Sequence, residues 1–130
     1  MIEATIMKRY IKSAVNLDDI PEENKGGNCF QVAAETVESH PSYKLVHAVV
    51  SGQGPLKGIK YLHAFALDES RGVVIDNTQK NPALREMIAG LYWYIGKIEL
   101  YREYSYEQML NNLVKFQTWG PWDKVFNGYM

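Results

Sequence analysis

One cysteine in 130 residues, Cys29, excludes an internal disulfide and fits a reducing compartment. Excess charge is also missing: 14 Lys and Arg oppose 15 Asp and Glu, a net charge of −1. That balance removes the electrostatic case for nucleic acid or for an anionic membrane surface as partner. No uninterrupted apolar run approaches the roughly 20 residues a bilayer span needs. The opening Met1-Ile2-Glu3-Ala4-Thr5 has neither the basic start nor the apolar stretch of a secretory signal, so a cytoplasmic location is expected. Repeats, heptad seams and low-complexity tracts are lacking too. What remains is 46% apolar and 22% charged, the composition of one globular domain over 1–130 with a sizeable core.

The lone cysteine stands in the most informative stretch, Gly26-Gly27-Asn28-Cys29-Phe30-Gln31-Val32-Ala33-Ala34. A helix is predicted over Asn28 to Ser39, with Phe30, Ala33, Ala34 and Val37 on one face and Gln31, Glu35 and Glu38 on the other. Asn28 is a favoured N-cap type. Cys29 then opens the first turn, where the helix dipole favours a thiolate. Taken alone, a single cysteine is more often a small buried apolar residue. His40-Pro41 ends the helix.

Elsewhere, weak alternation over Ile6 to Ile11 predicts an edge strand within Glu3–Val15, and Asn16 to Gly27 is a polar loop. Leu45 to Val50 is a β-branched apolar run of strand length, followed by a loop from Ser51 to Gly58. Tyr61–Leu67 and Gly72–Asp76, separated by Asp68-Glu69-Ser70-Arg71, predict a β-hairpin. Pairing Leu67 with Gly72 sets Phe65 opposite Val74 and His63 opposite Asp76, all four on one face, the face toward Cys29. Asn81-Pro82 predicts a short helix reaching Met87, while Leu91–Tyr94 and Ile98–Tyr104 are expected as aromatic-rich strands. Ser105-Tyr106-Glu107-Gln108 has capping-box form for a helix to about Phe116, and Thr118 to Asp123 is a turn carrying two indoles.

A cysteine hydrolase needs a thiolate, an imidazole that shuttles the proton, and a group that fixes the imidazole's tautomer. Cys29, His63 and Asp76 supply those residue types in that order. Gln53, on its Gly-rich loop, and the backbone at Asn28–Cys29 are candidate oxyanion donors. Trp119 is a candidate for a substrate groove, against the commoner role of packing the C-terminal tail. His47 is a further imidazole. Joined to Cys29 and His63 it would make a zinc site, yet no close ligand pair is present and a satisfied core histidine is the plainer reading.

Gly27-x-Cys29-x-x-x-Ala33, His63-Ala64-Phe65-Ala66 and Val74-Ile75-Asp76-Asn77-Thr78 together resemble the transglutaminase-like superfamily of the papain-like fold. The run from Val46-His47-Ala48 to Gln53-Gly54-Pro55 is similar to small phage-type members of that group. Asn77 stands where the superfamily usually has proline, and Phe65 where tryptophan is frequent. The resemblance implies an α+β, papain-like fold with the nucleophile helix packed on an antiparallel sheet. It also implies a Cys29–His63–Asp76 triad acting on an amide, peptide or isopeptide bond by hydrolysis or acyl transfer. The Asn77 position then falls near the substrate. No cofactor and no metal are required, and the expected partner is a peptide or amide substrate, protein included. Two alternatives stay open at this point, a non-catalytic binding module on the same fold and a small zinc-binding protein.

Overall fold

Two sheet faces are both covered, and that fact explains most of the sequence pattern. The computed structural model describes residues 28–52 and 56–129, so the edge strand expected within Glu3–Val15, the loop Asn16–Gly27 and Gln53 lie outside the described residues. Helix α1 spans Cys29–Ser39, strand β1 Lys44–Ser51, β2 Lys60–Asp68 and β3 Val73–Ile75. A 3-10 turn at Pro82–Leu84 leads into β4, Glu86–Ile88. Helix α2 (Ala89–Gly96), β5 (Tyr101–Tyr104), helix α3 (Tyr106–Phe116) and a 3-10 segment at Lys124–Tyr129 complete the chain. The strands form one five-stranded sheet in the order β4-β3-β2-β1-β5, antiparallel throughout.

Alternation along β1 and β2 sends side chains to two cores. Leu45, Ala64 and Ala66 pack with Ala33, Ala34 and Val37 of α1 and with Met109 and Leu113 of α3. The small alanines on both surfaces let α1 lie close to the sheet. On the other face, Val46, Ala48, Val50, Phe65, Leu67 and Val74 pack beneath α2. A strand covered on both sides must be apolar at every position. Leu45 to Val50 is buried throughout, which accounts for a run that is apolar at every position but His47.

Three expectations are corrected. Leu91–Tyr94 is helical, inside α2, although its aromatic residues favour strands. The reason is topological: β4 and β5 lie at opposite edges of the sheet, and α2 carries the chain across its face between them. Tyr92 and Trp93 lie over Phe65, with ring centroids 4.6 Å and 5.4 Å away. The helix expected from Asn81 to Met87 makes only its first turn. Asn81 Oδ1 accepts the Ala83 N–H at 3.0 Å, and Met87 pairs with Val74 in the sheet instead.

The third correction is the hairpin register. Leu67 pairs with Val74 and Asp68 with Val73, because the turn is Glu69 to Gly72. Gly72 there has φ +65°, a conformation glycine adopts without a Cβ penalty. Asp68 Oδ1 accepts from the Ser70 N–H and hydroxyl, and its Oδ2 accepts from Arg71 at 2.6 Å, which holds the turn closed. The predicted capping box of α3 is present in full at Ser105 and Gln108. At α1 the Asn28 side chain makes no capping bond, and its backbone (φ −82°, ψ 7°) is already turning into the helix.

Candidate functional site

Cys29 is the first residue of α1 and is 2% exposed. His63 lies on β2, and Asp76 follows β3 directly, its N–H donating to Arg85 O at 2.8 Å. His63 Nε2 donates to Asp76 Oδ2 at 2.8 Å. A carboxylate only accepts, so the proton sits on Nε2 and the opposite nitrogen, Nδ1, is the one left for exchange. Cys29 also acts on His63, raising its pKa together with Asp76.

Cys29 arrives there by a different route from the one expected. Like Phe65, His63 points to the α2 face, whereas α1 packs on the opposite face. β3 ends at Ile75, opposite Ala66, so β3 leaves that flank of β2 free toward Lys60. Asp76, beyond the last β2–β3 pair, turns its carboxylate to His63 although the two are not paired in register.

Asp76 is 1% exposed and heavily solvated by protein. Its Oδ2 accepts from His63, from the Tyr92 hydroxyl at 2.9 Å and from Gln79 Nε2 at 3.2 Å. Its Oδ1 accepts from the Thr78 backbone N–H at 3.2 Å and from the Thr78 hydroxyl. Burial alone would raise the pKa of this carboxyl. The hydrogen bonds and the charge of His63, joined by Thr78 and Gln79, hold it well below the usual carboxylate range instead. For His63, burial works downward, and hydrogen bonds and charge from Asp76 and Cys29 outweigh it, raising the imidazole to about 9. The site is an ionised carboxylate bonded to an imidazole that stays basic despite its burial, with Cys29 adding to that basicity.

The remaining sequence candidates scatter. Asn77 donates from Nδ2 to the Thr36 hydroxyl at 2.9 Å, tying the end of β3 to α1 rather than presenting its amide to the imidazole. Asn28 is partly exposed beside Cys29. Trp119 packs against the core cluster that contains Cys29, and its Nε1 has no hydrogen-bond partner among the described residues. His47 is fully buried on the α1 face, caged by Phe30, Tyr104 and Trp122 at centroid distances of 4.8, 5.1 and 4.9 Å. Both of its ring nitrogens lack a partner among the described residues. Burial lowers its pKa to about 3, so it is a neutral ring at physiological pH. Among the described residues no group of three or more His, Cys, Asp or Glu side chains could hold a metal ion.

Tyr92 and Gln79 went unnoticed in the sequence. The Thr78 contact carries a signal, since an Asp followed two residues later by Thr often closes an Asx turn. Tyr92 carries none, because reading Leu91–Tyr94 as a strand hides the turn of α2 that lowers its hydroxyl onto Asp76. Among the described residues no helix is long and apolar enough to cross a membrane. No protein-family model, curated protein or solved structure matches the chain.

Proposed function

We propose that the chain is a cysteine hydrolase or acyltransferase of papain-like, transglutaminase-like type, acting on an amide, peptide or isopeptide bond. The observation that carries this reading is His63, bonded through Nε2 to the buried Asp76 carboxylate and made more basic by both Asp76 and Cys29. In the proposed cycle the proton given up by Cys29 rests on His63 as an imidazolium, and the thiolate Sγ attacks the carbonyl carbon. The C–N bond breaks as the imidazolium returns that proton to the leaving amine. A water, or an acceptor amine in the transfer variant, then attacks the thioester. His63 accepts its proton, the C–S bond breaks, and the thiol is restored. Asp76 touches no reacting atom. It is a positioning residue that fixes the tautomer and stabilises the imidazolium. The first backbone N–H groups of α1, beside the sulfur, are suited to an oxyanion.

The test is covalent capture of Cys29 by thiol-directed acyl probes, scored by mass spectrometry, in the parent, Cys29→Ala and His63→Ala. The reading expects a single adduct on Cys29 and a rate that drops by roughly 100-fold or more in a folded His63→Ala variant. A parent that never labels, or a His63→Ala variant that labels at the parent's rate, overturns it.

A further inference from the structure

A cavity of about 390 Å³ opens on the α2 face with His63 in its wall. It falls within the size range of small-ligand sites. Val50, Tyr61, Leu84, Met87, Tyr92 and Ile95 supply its apolar surface, and no Asp, Glu, Lys or Arg lines it. The polar groups in its wall are largely committed elsewhere. His63, Tyr92 and Gln79 all donate to the single Oδ2 atom of Asp76. A cationic group entering this space would lose its water, meet no carboxylate in the lining and face the His63 imidazolium, at a cost of several kcal/mol. A large apolar group would gain instead. Tyr61, Leu84 and Ile95 are 39%, 45% and 37% exposed and would be covered by it.

We infer that this cavity selects the substrate: it takes a large, uncharged, apolar side chain or acyl group lying next to the carbonyl that Cys29 attacks. The inference rests on the proposed thiol chemistry for its position relative to the carbonyl, and on the cavity alone for its chemical preference. It makes the substrate a peptide or amide with a leucine- or phenylalanine-like group on the acyl side. Glycine and lysine there are disfavoured.

The experiment uses the full chain and N-acetyl-aminoacyl chloromethyl ketones carrying Leu, Phe, Gly or Lys side chains. Alkylation of Cys29 by the Leu and Phe reagents should exceed that by the other two by about tenfold or more, the scale of discrimination an apolar pocket supplies. Leu84→Glu alters a half-exposed residue at the mouth, so the fold should persist. It should lower the Leu-to-Lys rate ratio by about tenfold as the new carboxylate meets the lysine reagent. Equal rates for Leu, Gly and Lys reagents on a labelled Cys29 would overturn the pocket assignment and leave the thiol reading intact. If no reagent labels the protein, the thiol reading fails, and binding of N-acetyl-leucinamide against N-acetyl-lysinamide to Cys29→Ala, followed by NMR shifts, decides the cavity separately. Shifts for the leucine amide alone sustain the preference, and equal or absent shifts for both refute it.

Discussion

Replacing His47 by leucine should make the protein less sensitive to acid. In the folded state His47 is caged by three aromatic rings, and burial lowers its pKa from 6.5 to about 3. In the unfolded chain the same imidazole titrates near 6.5, so the unfolded state binds more protons between the two values. Stability from this group is therefore fully present above pH 6.5 and is lost as pH falls toward 3. A full proton difference is worth about 1.4 kcal/mol per pH unit. Between pH 6.5 and 4.5, the parent should lose about 2–3 kcal/mol through His47, a large part of a marginal stability of about 5–15 kcal/mol. Asp76 titrates below this interval in both states. His63 is protonated in both at its acid end, so neither competes for the effect. His47→Leu keeps comparable volume and removes two ring nitrogens that lack partners among the described residues. At pH 7 it should change stability by no more than about 1.5 kcal/mol. Urea unfolding at half-unit steps from pH 7 to 4.5, fitted with a common slope, is the measurement. The parent curve should fall toward acid while the variant curve stays nearly flat. If the two curves run parallel, His47 is not a buried neutral ring and the reasoning fails.

Tyr92→Phe removes the hydroxyl that donates to Asp76 Oδ2 at 2.9 Å while keeping the ring tilted against Phe65. It should lower the Cys29 labelling rate several-fold and move the acid limb of its pH profile, with a melting loss of only about 1–2 kcal/mol. A purely structural tyrosine would leave the pH profile in place. Gly120→Ala should destabilise by about 2–4 kcal/mol, seen as a lower urea midpoint at an unchanged slope. At Gly120, φ is +120°, and an added Cβ would sit 2.5 Å from His47 Cε1. A variant as stable as the parent would show that the Gly120 backbone does not press on the imidazole.

The sequence was readable wherever one physical signal decided the outcome. The helix from Cys29 follows from its apolar stripe and the His40-Pro41 stop, and α3 from the reciprocal Ser105–Gln108 cap. β1 and β2 followed from their apolar content. Leu91–Tyr94 was unreadable because α2 is apolar on every side, so it has no period, and aromatic content then points to a strand. β4 was hidden by Asn81-Pro82, a genuine helix start whose helix ends after one turn because Met87 gains more by pairing with Val74. The register slipped by two positions at Gly72. A slip of two preserves the face, so His63 and Asp76 still point the same way. The side of the sheet that carries α1 was not readable, since alternation along a strand shows which residues share a face but not which face a given helix covers.

The two histidines on neighbouring strands show how the same residue type is driven in opposite directions by what surrounds it. His47 on β1 is fully buried and His63 on β2 mostly so, and desolvation pushes both toward the neutral form. His47 meets aromatic rings and the Gly120 backbone and follows that push. At His63 the desolvation is reversed by a carboxylate that itself stays ionised because further donors besides the imidazole hold it. The consequence reaches the whole molecule. His63 has a folded pKa above its unfolded value, so its contribution is fully present below pH 6.5 and is lost as pH rises toward about 9. His47 contributes with the opposite sign, losing stability below pH 6.5. Two buried imidazoles thus squeeze maximum stability into the region near pH 6.5 from both sides. Mutating either should release only its own flank: His47→Leu the acid side, and Asp76→Asn, which removes the charge that raises His63, the alkaline side. An Asp76→Asn variant that retained the full alkaline decline would mean that the carboxylate does not set the imidazole's basicity, and the positioning role proposed for Asp76 would fall with it.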